Sequence, residues 1–369
     1  MVEPLKNHFG PEIAEQIAVM VSAVHPSFDS SAFITFSADG FADLELTPRA
    51  RHLADGLALF LPDNPERAVR ILTASLDCYV EPQPLTAMSG FVFLPHVYFV
   101  ATYGLDCFEA SMDAQYEVTQ RFTAEFSIRA FIERYEAATL ERLRVWASDS
   151  SVHVRRLVSE GTRPRLPWAP RLAAFQVDPG PVVELLELLK DDEEEYVRRS
   201  VANNLNDIAK DHPELVVDVC RSWWTDGNRD RRRLIRHGLR TLVKQGDAGA
   251  LGVLGYEASS PVEVNAFTVA PDAAEIGSKV VIEVEIVNPS AVDAAVLVDL
   301  RVHFQKSNGS TSPKVFKGAE LTVAPDGSAI VRKSISLAQH STRTHYPGDH
   351  QVDVMVNGVS HPGGMFSLS

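Results

Sequence analysis

Three short stretches of this 369-residue chain concentrate the side chains that could do chemistry. The first is Phe122-Thr123-Ala124-Glu125-Phe126-Ser127-Ile128-Arg129. The second runs from Val154 to Trp168 and reads VRRLVSEGTRPRLPW. The third, Tyr196 to Asp207, reads YVRRSVANNLND. In the second, Arg156 and Glu160 lie four apart and share a helix face. Gly161 can end that helix. The loop after it holds Arg163, Arg165 and Trp168 among prolines, and such a stiff loop suits a backbone contact or a stack against a planar cation. In the third, Arg199, Asn203 and Asp207 form a polar stripe at four-residue steps. An Arg–Glu pair at helical spacing is ordinarily a solvated salt bridge. The run Asn203-Asn204-Leu205-Asn206-Asp207 is different, because so many Asn and Asp weaken a helix interior and need a compensating reason.

The elements that must position these residues are helical. Ile13, Ile17, Val21 and Val24 recur at helical spacing, as do Leu53, Leu57 and Phe60. Asp63-Asn64-Pro65 and Asp178-Pro179-Gly180-Pro181 start helices, and Asp211-His212-Pro213 breaks one. Phe91–Val100 is an apolar run interrupted by His96 and fits either a buried helix or a strand. The phrase Val154-Arg155-Arg156-Leu157-Val158 returns as Val197-Arg198-Arg199-Ser200-Val201, an offset of 43 residues, with a looser copy at Arg231–Ile235. Two-helix repeats of the HEAT type have periods of ~40–47 residues and stack into a solenoid with a concave binding face. The offset also places Asn203 where Glu160 stands one repeat earlier.

The pattern changes near Gly255. Residues 279–286 nearly alternate, and 296–304, 319–323, 329–335 and 351–356 are strand-like, with turn signals between them. Short strands at this spacing predict an immunoglobulin-like β-sandwich without the Cys…Trp…Cys hallmark. The fold class expected is therefore mainly α: a HEAT-like helical-repeat solenoid over 1–256, followed by an Ig-like β-sandwich over 257–369.

Charge is unevenly spread. The net formal charge is -14, yet residues 121–255 carry 22 Lys/Arg against 21 Asp/Glu, and 19 of the 22 are arginine. Arginine suits bidentate phosphate contacts, and an electrostatic footprint is local, so overall acidity does not exclude a nucleic-acid surface. The same segment holds all four tryptophans; Trp146, Trp223 and Trp224 read as core. Three cysteines without a CxxC exclude a disulfide framework and point to a reducing cytoplasm. No apolar run reaches the ~20 residues of a membrane helix, and no His/Cys/Asp cluster has metal-ligand spacing. The acidic run Asp191–Glu195 reads as a solvated turn.

Together the LELTPR stretch, EFSIR, SEGTRPRLPW and VRRSVANNLNDIAKDHP resemble the AlkC branch of the AlkC/AlkD family of bacterial DNA glycosylases, over nearly the whole chain. The resemblance implies hydrolysis of the N-glycosidic bond of a methylated base in duplex DNA, without full extrusion of the base. It implies that Glu125, Glu160 and Asp207 are the catalytic acids, that Trp168 is the catalytic aromatic residue, and that Arg156 and Arg163 approach the nucleotide backbone. Arg165, Arg199, Asn203 and, in the β-rich tail, Arg343 are further candidates for DNA contact. The tail would close over the DNA, with Lys306, Lys314, Lys317, His340, His345 and Tyr346 also on its loops. The chemistry agrees. A base alkylated at a ring nitrogen is cationic and leaves with little acid catalysis, while carboxylates stabilise an oxocarbenium-like sugar. No cofactor, membrane or protein partner is expected, and the location expected is the bacterial cytoplasm, at the nucleoid when bound to DNA. Other functions compatible with these residues are a helical-repeat scaffold for an acidic protein and a non-catalytic DNA-binding relative.

Overall fold

Asn64 shows how the helices begin: its side chain accepts from the Arg67 backbone N–H, and Pro65 supplies the first helical residue. The computed structural model describes residues 4–80, 89–339 and 344–369. They form two compact units, Met1–Asp211 and His212–Ser369. Among the described residues of the first unit there are twelve α-helices. They are α1 (Glu12–Val24), α2 (Ser30–Ala38), α3 (Leu46–Phe60), α4 (Pro65–Ser75), α5 (Leu94–Tyr103), α6 (Phe108–Thr119), α7 (Ser127–Arg134), α8 (Glu136–Trp146), α9 (Val152–Gly161), α10 (Ala173–Val177), α11 (Gly180–Leu189) and α12 (Glu195–Ile208). In one layer α3 packs on α5, α5 on α7, and α9 on α12. In the other, α1 packs on α4, α4 on α6, and α8 on α11, with Tyr116 of α6 against Trp146 of α8 at 5.9 Å between ring centroids.

The repeat read from the sequence has a hydrogen-bonding counterpart. Arg155 Nη1 donates to the carbonyls of Asp149 and Ser150, and Arg198 Nη1 to those of Asp192 and Glu193. Donor and acceptors are all displaced by the same 43 residues, so the first arginine of each VRR ties its helix to the preceding turn. Arg155 also pairs with Asp192 at 2.6 Å, which buries that member of the acidic run.

The apolar run 91–100 is a 3-10 turn (Ser89–Phe93) followed by α5, buried on nearly every side. Within it His96 is fully buried, its Nε2 3.4 Å from Ser75 Oγ. Burial lowers its pKa from 6.5 to about 4. Below pH 6.5 the unfolded chain binds a proton that the folded chain refuses until about pH 4. Stability should therefore fall as pH drops through this window, by about 3 kcal/mol in full. Urea melts between pH 7.5 and 5, before most carboxylates titrate, should show the slope in the parent and not in His96→Leu.

The second unit contains helices α13 (Pro213–Thr225), α14 (Arg229–Gly238), α15 (Arg240–Gln245) and α16 (Ala248–Val253), then the strands. These are β1 (Glu263–Ala270), β2 (Ala273–Ala274), β3 (Lys279–Val287), β4 (Ala294–Gln305), β5 (Thr311–Val323), β6 (Ser328–Ser336), β7 (Gly348–Val356) and β8 (Val359–Leu368). One sheet has the order β1-β3-β6 and the other β2-β8-β7-β4-β5. Alternation puts Val280, Ile282, Val284 and Ile286 of β3 into a core with Val298, Leu300 and Val302 of β4 and Val352 and Val354 of β7. The secondary structure changes type between Val253 and Glu263, whereas packing groups α13–α16 with the sandwich. Leu251 and Tyr256 are buried with Leu297 of β4, and Glu320 of β5 accepts from Arg236 and Tyr256.

Candidate active site

Gly161 brings α7 and α9 close enough to build a site. A Cβ there would lie 2.5 Å from Ile128 Cγ2, so only glycine admits this approach. Across the junction, Arg129 is buried in α7 and donates to three carbonyls at the end of α9 and in the loop after it: Gly161 at 3.2 Å, Arg163 at 2.7 Å and Pro170 at 2.5 Å. Burial lowers its pKa to about 10. The loop is closed by Leu172 N–H on Pro164 O. It presents Trp168 with 72% of its surface exposed and a φ of 65°, a left-handed conformation rare for a bulky residue. Backbone outliers of this kind cluster at active sites and ligand clamps.

Behind Trp168 lies a cleft of about 300 Å³, walled by Tyr98, Phe91, Phe122, Phe126 and Leu166, with Glu125, Glu160 and Arg163 on its polar side. The three stretches meet here through one chain of alternating charge. Arg156 Nη1 donates to Glu125 Oε2 at 2.5 Å, and its other terminal nitrogen lies 3.5 Å from Glu160 Oε1. Arg163 Nη1 donates to that same Glu160 oxygen at 2.6 Å, and its Nε donates to Asp207 Oδ2 at 2.8 Å. Lys210 holds the other Asp207 oxygen at 2.8 Å. Thus three carboxylates and three cations run as Glu125, Arg156, Glu160, Arg163, Asp207, Lys210, from the turn before α7 across α9 and the loop after it to the C-terminal end of α12. Their formal charges cancel.

Neutral neighbours fix the geometry. Ser159 Oγ donates to Ser200 Oγ at 2.7 Å, and Ser200 Oγ donates to Glu160 Oε2 at 2.6 Å. Thr123 Oγ1 donates to Glu125 Oε2 at 3.0 Å. Asn204 Nδ2 donates to Ser159 O at 2.8 Å and approaches Thr162 Oγ1 at 3.1 Å. Burial opposes the charge of Arg163, but Glu160 and Asp207 outweigh it and raise its pKa above the ordinary value.

The expected site residues therefore separate. Glu125, Glu160, Arg163 and Trp168 line the cleft, and Asp207 joins them from behind Arg163. Arg156 is not a solvated pair with Glu160; its shortest contact is Glu125, and its guanidinium stacks 5.5 Å over Tyr196. Arg163, expected at the nucleotide backbone, is nine-tenths buried between two acids. Arg165 is paired with Asp211 at 2.5 Å. Arg199 is exposed and Asn203 half-buried on the face of α12 that also bears Tyr196 and Asp207. Arg343 and His340 lie outside the described residues. Of the other tail positions, His345 is buried against Phe304, Lys317 pairs with Glu320, and Lys314 lies over Phe316. Trp146 and Trp223 are buried, as expected of core residues, whereas Trp224 is half-buried with Arg232 and Arg236 over its ring. Sequence reasoning gave no role to Tyr98, Arg129, Ser200 or Lys210. Arg129 and Ser200 lay inside the singled-out stretches, but nothing local marks their partners, which are 32 to 41 residues away. Among the described residues no group of three His, Cys, Asp or Glu could hold a metal ion, and no helix is long and apolar enough to cross a membrane.

Comparison with known proteins adds three findings. A family model described as the C-terminal Ig-like domain of the uncharacterised protein YhaZ matches residues 263–369. The chain is 34% identical over 356 residues to YhaZ of Bacillus subtilis (strain 168), covering 96% of each chain. It is also similar to a solved structure of the Pseudomonas fluorescens alkylpurine DNA glycosylase AlkC bound to DNA containing an abasic-site analogue. That match has 35% identity and a TM-score of 0.90, and it covers the whole of both chains.

Proposed function

The chain belongs to the AlkC branch of the AlkC/AlkD family of HEAT-like-repeat DNA glycosylases, and from that premise we propose that it excises cationic N-methylated bases from duplex DNA. The bases are of the 3-methyladenine, 3-methylcytosine and 1-methyladenine type, and the base is not turned fully out of the helix. The protein acts in bacterial base excision repair, in the cytoplasm, with the helical-repeat domain over 1–256 and the Ig-like domain over 257–369.

The observation that carries this reading is the charge-balanced chain beside the Trp168 cleft. A methylated ring nitrogen makes the base a cation, so cleavage of its glycosidic bond leaves a neutral base and puts positive charge on the sugar. Glu125, Glu160 and Asp207 supply the opposing charge at C1′ and orient the attacking water. Three bare carboxylates would be repelled by the phosphates on either side of the lesion. Interleaved with Arg156, Arg163 and Lys210, they present no net charge to the backbone while keeping acceptor oxygens at short range. The exposed Trp168 face suits a cationic base or sugar.

The test is single-turnover excision on duplexes that each contain one defined lesion. Release of 3-methyladenine or 3-methylcytosine, with undamaged duplex left intact, supports the proposal. DNA binding with no base released from any of them would leave a non-catalytic DNA-binding protein, and absence of DNA binding would leave a protein scaffold.

A further inference from the structure

The arginines around the site differ in what already occupies them. Arg155, Arg156, Arg163 and Arg165 each hold a carboxylate, and Arg129 holds three carbonyls. A guanidinium so engaged must give up a partner before it can reach a phosphate. Among the described residues of the first unit, Arg51, Arg67, Arg171 and Arg199 make no ion pair and no side-chain hydrogen bond, and all four are exposed.

Arg51 alone among these four is held by a ring. It projects from α3, in the same layer as the site helices, with its guanidinium 5.1 Å over the Tyr98 ring. It lines a second cleft with Tyr98, Phe126, Trp168 and Pro170. Tyr98, Phe126 and Trp168 also wall the carboxylate cleft, so the two clefts meet at these aromatics. The other charged groups facing Arg51 there are Asp55, Glu133 and Arg129. Asp55 already accepts the Tyr103 hydroxyl at 2.7 Å. Stacking fixes the plane of a guanidinium without consuming any of its N–H donors.

We propose that Arg51 is a phosphate contact for the DNA strand running past Trp168, held in place by Tyr98, and that it supplies backbone binding that the buried Arg163 and paired Arg165 do not. This rests on the glycosylase reading only in taking duplex DNA as the ligand. A phosphate contact fixes register and carries no sequence information, so its loss should weaken binding to damaged and undamaged duplex alike.

The test measures binding of the full chain to lesion-free duplex over a range of salt concentrations, with excision by the parent protein measured separately, so that failure of the glycosylase reading is seen on its own. Each neutralised phosphate contributes about 0.9 to the slope of log K against log salt. Arg51→Gln should lower that slope by about one contact and weaken binding at low salt by about tenfold. Arg51→Lys should keep the slope, and excision at saturating Arg51→Gln should stay within about twofold of the parent, because the contact positions and does not react. Arg67→Gln is the control: it removes an equally unpaired arginine, one that lines a separate groove with Val24 and Ile71, and it should leave the slope at the parent value. An unchanged slope for Arg51→Gln, or an equal fall for Arg67→Gln, overturns the proposal.

Discussion

Glu160→Gln should slow base excision by at least about tenfold, roughly 1.4 kcal/mol of barrier, while duplex binding is retained or improved. Glu160 is the hub of the site: Arg156 and Arg163 converge on one oxygen, and Ser200 donates to the other. A glutamine can keep this shape, with its carbonyl towards the arginines and its amide towards Ser200. What it removes is the negative charge set against the sugar as the base departs. Binding should not suffer, since the variant also removes a charge that repels phosphate. Single-turnover release from a 3-methyladenine duplex, with binding measured in parallel, separates the two quantities. Excision at the parent rate would show the proposed mechanism to be wrong even though the family is right.

The second large effect is on folding. Arg163→Leu should destabilise the protein by about 3 kcal/mol, because it removes the shared partner of the buried Glu160 and Asp207 and leaves Arg156 at 3.5 Å and Lys210 at 2.8 Å to oppose them. Arg165→Gln, two residues on, removes a pair with both side chains about one-fifth exposed and should cost no more than about 1 kcal/mol. Urea unfolding of both variants checks the contrast. Equal losses would mean that the buried position of Arg163 contributes nothing special.

The sequence carried the local part of this structure and not the long-range part. Helix starts at Asn64-Pro65 and Pro179-Gly180 were legible because proline and Asx residues act within one turn. Strands β3, β4, β6 and β7 were legible because each is an apolar, largely β-branched run; β3 and β6 bury one face, and β4 and β7 are buried on both over part of their length. β1 was not, since its burial never becomes complete along EVNAFTVA, and β8 was hidden by the Pro-Gly-Gly in its middle. The odd composition of Asn203–Asp207 was visible, and its reason was not. Asn204 cross-links α12 to α9, and Asp207 anchors Arg163, contacts that exist only when repeats stack. Likewise the i, i+4 spacing of Arg156 and Glu160 was real, yet the shorter bond of Arg156 goes to Glu125, 31 residues away. Periodicity reports a face; it does not report which charges will meet across two faces.

The alternating charge chain also bears on how the helical array opens. In a stack of repeats each unit ordinarily leans only on its neighbours, and an end can fray while the rest persists. Here Arg156 clips α9 to the residues preceding α7, while Arg163 and Ser200 clip α9 to α12, and every link is buried or nearly so. Loss of any one link leaves an uncompensated charge for the next, so local opening of one repeat is penalised in the others. Amide protons of α7, α9 and α12 would then exchange with solvent as a single cooperative unit, and Glu125, Glu160 and Asp207 would be held together or released together, never as a partly assembled cluster.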